Sequence, residues 1–243
     1  MFNSASFLAT QVDFTDAGDL LLFTDTDRLE ALSKLMSERG YLDGSRMANV
    51  FNMLRPRDLI WPYVVNNYLL GKKPFPFDLL YWNQDSTRMT AANHNYYLRE
   101  FYNHNSLANG DLTTAGTRLD VHKVKIPVYE LATKEDHIAP ARSVFTGAQL
   151  FGGEVEFVLS GSGHIAGVVN PPDKVKYQYW TNAKRAKTLE QWKATAKEHP
   201  GSWWPHWGEW LAERSGGWTV SREPGEKLGV IEDAPGCYVK MKL

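Results

Sequence analysis

The sequence predicts an α/β fold in which parallel strands joined by helical crossovers carry an inserted helical cap. Three observations predict it. Two short apolar runs, IPVYELAT (126–133) and EVEFVLSG (154–161), flank the helical pattern ARSVFTGAQLF (141–151), which is the spacing of a parallel pair with a helical connection. A stretch of about ninety residues before them has helical periodicity and no strand pattern, too long for a connecting loop. Polar, chemically capable residues follow each strand directly, where sheets of this class place their reactive groups.

Taken in order, SFLATQVD (6–13) has the short, β-branched and apolar character of a strand, and the turn-forming DAGDL follows it. A strand opening a parallel sheet requires neighbours on both edges, so the reading expects a truncated or split chain whose neighbours lie elsewhere. From Asp25 to Gly40, a Thr/Asp cap, apolar Leu29, Leu32, Leu35 and Met36, and a closing glycine predict an amphipathic helix. The next segment is helical in period but interrupted by Pro56 and Pro62, which predicts short helices at angles to one another. A proline-rich turn, an aromatic segment and a further helix ending near Gly110 complete the expected cap. Its aromatic stripe, Trp61, Tyr63, Tyr68, Phe75, Phe77, Tyr81, Trp82, Tyr96 and Tyr97, is expected to fill the cap core, with some members free to line an acyl tunnel or a dimer contact. Beyond the two strands, helices are expected at 173–180, 188–198 and 203–213. The organisation predicted is a core strand over 1–20, the cap over 21–118 and the rest of the core over 119–243.

Composition narrows the function. Lys plus Arg is 27 and Asp plus Glu is 28, a formal charge of −1, so nothing draws the chain toward nucleic acid or anionic membrane. The single cysteine, Cys237, forms no internal disulfide, and no leader pattern is visible, which fits a reducing cytoplasm. Apolar stretches fall short of the roughly 20 residues of a spanning helix, so no transmembrane segment is expected.

Two residues carry the chemistry. Asp136 follows the first strand in KEDHIAP and His164 follows the second in SGSGHIAG, where glycines on both sides permit sharp turns and an exposed ring. Acid before base is the chain order of the α/β-hydrolase triad. A general base needs a carboxylate to hold its tautomer through Nδ1, and Asp136 suits that role; it also suits the N-terminus of the helix that follows, and the two roles are compatible. His137 is read as supporting the pair. No HExxH or paired CxxC pattern points to a metal, and no cofactor is implied. No G-x-S-x-G or G-x-C-x-G elbow occurs in the sequence, and Cys237, near the end, is read as structural. The run KRAK (184–187) is read as one solvated helix face.

Several long segments, LRPRDLIWPYVVNNYLLGKKPFPFDLLYWNQDSTRM, ATKEDHIAP, FVLSGSGHIAGVVNPP, YWTN and GSWWPHW, resemble those of the polyhydroxyalkanoate synthases of class I type, in that family's order. The resemblance implies the C-terminal part of an α/β-hydrolase fold with a cap that participates in a homodimer. It implies a Cys-His-Asp acyltransferase that polymerises (R)-3-hydroxyacyl-CoA, 3-hydroxybutyryl-CoA first, into a polyester chain with release of CoA. The base then falls on His164 and the acid on Asp136. The family's nucleophile lies upstream of the segment matching SFLATQVDF, so the chain alone is expected to be inactive. Either His164 or Asp136 would activate the elongating hydroxyl, and the surface of a polyester granule in the cytoplasm is the implied location. The rival readings are another hydrolase of this fold, such as a thioesterase or polyester depolymerase, and a non-catalytic partner of a synthase or granule.

Overall fold

A computed structural model describes residues 2–74 and 87–241. They form two compact units, one of residues 1–54 and 88–215 and one of residues 55–87 and 216–243.

The first unit is built on a five-stranded sheet of β1 (Ala5–Leu8), β4 (Val128–Thr133), β5 (Val155–Ser160), β6 (Gln178–Thr181) and β7 (Lys197–Pro200), in that spatial order. Two short strands, β2 (Thr113–Thr114) and β3 (Thr117–Arg118), pair separately as a hairpin. β1, β4 and β5 run parallel, with Phe7, Glu130 and Phe157 in one register row. β6 and β7 add to β5 antiparallel. The class is α/β, with parallel strands and helices against both faces.

β4 is buried along its whole length and alternates sides. Ala132 with Phe157 and Leu159 faces Val144, Phe145 and Ala148 of the crossover helix and Trp192 of the helix Leu189–Ala194. Tyr129, Leu131 and Val158 face the opposite layer, where Trp203 and Trp210 come from the helix Trp204–Ala212 and its first turn. In chain order the helices are α1 (Thr26–Ser37), α2 (Gly44–Leu54), α3 (Pro56–Leu59), α4 (Trp61–Tyr63), α5 (Ala91–Tyr97), α6 (Ala141–Ala148), α7 (Leu189–Ala194) and α8 (Trp204–Ala212). α1 begins at an Asp25 side chain that accepts from the Arg28 N–H, the cap expected there. Wider helical turns continue α4 and α5 over Val64–Leu69 and Leu98–Asn103. Phe14, after β1, packs edge-on against Phe101 and Tyr102, which joins the helical segment to the sheet within this unit.

Three expectations need correction. The helix expected at 173–180 is a short 3-10 turn at Pro172–Lys174 followed by β6, because Tyr179, Trp180 and Thr181 lie in register against β5. The helix expected over 188–198 stops at Ala194, and Lys197–Pro200 forms β7 at the sheet edge. Trp61, Tyr63 and Tyr68, expected to fill a core, are exposed. They belong to the second unit, whose helices of three and four residues around Pro56 and Pro62 are too short to enclose them. Tyr81 and Trp82, the tunnel or cap candidates, lie outside the described residues.

Candidate active site

β4 ends at Thr133, and within three residues the chain reaches Asp136, whose side chain has no exposed surface. The carboxylate is fully engaged. Its Oδ1 accepts from the backbone N–H groups of Ile138 (2.8 Å) and Ala139 (2.9 Å), which turn the chain into α6. Its Oδ2 accepts from the Thr133 hydroxyl (3.0 Å) and lies 2.7 Å from His164 Nδ1. Burial pushes the carboxyl upward, but the bond to His164 and the two N–H groups outweigh it and hold the group below the ordinary aspartate range. A carboxylate can only accept, so Nδ1 carries the proton and Nε2 keeps its lone pair in the neutral ring. The His164 side chain is 33% exposed, so the ring reaches solvent while its partner does not.

The loop after β5 brings His164 to this position. Glu135 N–H donates to the Ser162 carbonyl (2.9 Å) and Lys134 N–H to the Ser160 carbonyl (2.8 Å), which ties the two strand-end loops together. The left-handed residue of the loop is Ser162 (φ 69°), not one of the glycines flanking His164. Of these, Gly167 serves close approach instead. A Cβ on Gly167 would stand 2.6 Å from Thr133 Cγ2 and 2.7 Å from the Gly161 carbonyl oxygen. Gly167 therefore lets the His164 turn rest against the same threonine that binds Asp136.

The pair thus has the geometry of a general base held in one tautomer by a buried acid. His137 is half-buried beside it in sequence, with its carbonyl near Gly18. Cys237 lies in the second unit and is exposed, its thiol 3.4 Å from Glu232 Oε1. No helix among the described residues is long and apolar enough to cross a membrane.

No family model matches the chain. Curated proteins match nearly the whole chain. The chain is 58% identical over 239 residues, 98% of its length, to the poly(3-hydroxyalkanoate) polymerase subunit PhaC of Rhizobium meliloti. In sequence the chain is similar to the poly(3-hydroxyalkanoate) polymerases over nearly its whole length. It is 58% identical over 241 residues to the polymerase of Methylorubrum extorquens and 40% identical over 247 residues to the PhaC subunit of Cupriavidus necator. It spans about two fifths of these polymerases, covering 39%, 40% and 42% of their lengths respectively.

Around the Asp136–His164 pair of this polymerase-related chain stand residues that sequence reasoning did not single out. In sequence Thr133 and Ser160 read as strand-end residues and Trp203 as the start of a helix. Only the carboxylate's need for donors beyond the imidazole could have pointed to Thr133, three positions before it.

Proposed function

We propose that Asp136 and His164 serve as acid and base of a poly(3-hydroxyalkanoate) polymerase acting on (R)-3-hydroxyacyl-CoA, with the nucleophilic cysteine supplied by sequence this chain does not contain. The 2.7 Å contact between His164 Nδ1 and Asp136 Oδ2, in a chain so close to named polymerases, is the observation that carries this reading. His164 Nε2 takes the proton of the cysteine thiol, and the thiolate attacks the acyl thioester. Collapse of the tetrahedral intermediate breaks the bond to CoA, and the imidazolium returns its proton to the departing thiolate. In elongation the 3-hydroxyl of the next unit gives its proton to the same Nε2 and attacks the acyl-enzyme, forming the ester and releasing the cysteine. His164 is the better candidate for that second deprotonation, since Asp136 is without exposed surface and both its oxygens are committed. Asp136 orients the ring and stabilises its charged form.

The helices α1, α2 and α5 fit the expectation of a helical insertion between β1 and β4. The exposed apolar side chains Trp61, Tyr68 and Leu69 support contact with a second copy or with the surface of a polyester granule in the cytoplasm. The decisive test completes the chain with the preceding part of the Rhizobium meliloti polymerase and follows CoA release from (R)-3-hydroxybutyryl-CoA. Asp136→Asn and His164→Ala are each expected to lower turnover by about three to four decades. Near-normal release by either variant would overturn the assignment.

A further inference from the structure

We infer that Trp203 and Trp204 at the start of α8, together with Ser160 at the end of β5, are positioning residues that set the place of the His164 imidazole; this rests on the reading of His164 as the base. His164 sits in a single helical turn, closed by Gly167 N–H donating to the Gly163 carbonyl (2.7 Å) and Val169 N–H to the Ile165 carbonyl (2.8 Å). One turn has no helix behind it to hold it, and the carbonyls at its far end would be left without helical partners. Here they are taken by side chains from two other elements. The Gly167 carbonyl accepts from the Ser160 hydroxyl (2.8 Å) and the Trp203 indole N–H (3.0 Å), and the Val168 carbonyl accepts from the Trp204 indole N–H (2.9 Å).

The donors are themselves anchored. Trp203 is fully buried and packs on Trp207, whose indole donates to the Ser6 hydroxyl of β1 (2.9 Å). His206, the residue before Trp207, meets the Tyr129 hydroxyl of β4 (3.0 Å). α8 is therefore pinned to β1 and β4 on the face opposite α6, and its first turn holds the His164 loop from that side. From the other side Gly167 rests on Thr133, which donates to Asp136. Base and acid are thus located from one framework, the ends of β4 and β5 plus α8. A displacement of the Gly167 and Val168 carbonyls would lengthen the bond between His164 and Asp136.

The test is proton NMR of the whole chain, reading the low-field Nδ1 proton of His164, identified by its loss in His164→Ala and Asp136→Asn. Trp204→Phe and Ser160→Ala each remove one donor while keeping most of the packing. Trp210→Phe is the control: it alters the same helix, but that indole N–H has no partner among the described residues. The expected result is an upfield shift or loss of the Nδ1 signal in Trp204→Phe and Ser160→Ala, with no change in Trp210→Phe. A signal unmoved in the first two variants, or moved equally in all three, would overturn the inference and leave the catalytic reading intact. A shifted signal alongside full CoA release by His164→Ala in the completed polymerase would sustain the positioning and remove the catalytic reading.

Discussion

Glu130 shows how a single residue can work against the fold that contains it. It lies in the middle of β4, between Phe7 and Phe157 in the sheet register, with no exposed surface and no hydrogen-bond partner on either carboxyl oxygen among the described residues. Burial pushes its carboxyl well above the ordinary glutamate value. A group whose folded value is raised contributes most below its unfolded value, near 4.3 for glutamate, and that contribution is lost as pH rises through the folded value. Glu130→Met keeps the length and removes the charge. It is expected to raise stability at pH 8 by about 1–3 kcal/mol in denaturant melts, with the gain shrinking toward pH 4. An equal gain at both pH values would mean that Glu130 is not protonated on folding. Nothing in PVYELAT marks this glutamate as buried, since a charged residue inside a strand pattern ordinarily faces water. Asp136 and His164 were legible because their chemistry needs a short polar stretch after each strand, and both stretches are visible. The Trp203 and Trp204 contacts were not legible, because each joins a carbonyl to an indole 36 residues away.

At the scale of elements, the parts that could be read were those whose periodicity reflects burial on one face. α1, β4, α6, β5 and α8 fall close to where the apolar spacing puts them. β6 and β7 escaped because their pattern is set by pairing rather than by burial. Lys197, Glu198 and His199 present charged and polar groups on an edge strand, and only the ladder with Gln178–Thr181 makes them a strand. One tether of α8 to the sheet is the contact between Tyr129 and His206, and burial holds the His206 ring below the ordinary histidine value. A depressed folded value gives stability that is present above about pH 6.5 and lost as pH falls through the folded value. Tyr129→Phe should therefore cost about 1 kcal/mol at pH 7.5, from the lost hydrogen bond. The cost should change as pH falls through the His206 titration, because the protonated ring donates to the phenol oxygen instead of accepting from its hydroxyl. A cost that stays constant from pH 7.5 to 5 would show that the tyrosine acts through packing alone.

On the scale of the whole molecule, the two compact units divide the labour unevenly. Both apolar clusters, the Asp136–His164 pair and the indole contacts that hold it are made entirely by residues of the first unit. Among the described residues, those from 218 to 241 contribute to neither cluster and to no hydrogen bond around His164. They instead present Trp218, Leu228 and Ile231 almost fully to solvent. Apolar side chains so exposed contribute little burial to folding, and their removal leaves no cavity behind. A chain ending at Gly217 keeps α8 and the Arg214–Glu154 contact that follows it, so the sheet layers remain closed on both faces. Its thermal midpoint is expected to lie within about 2 °C of the parent, the scale of surface changes in a chain of this size, and the low-field His164 proton should persist. The truncated chain should also bind less of a hydrophobic dye, since the apolar surface lost is solvent-facing. A fall in the midpoint of more than about 5 °C would instead mean that residues 218–241 stabilise the core by burial, because a loss of that size requires more than a kilocalorie of packing.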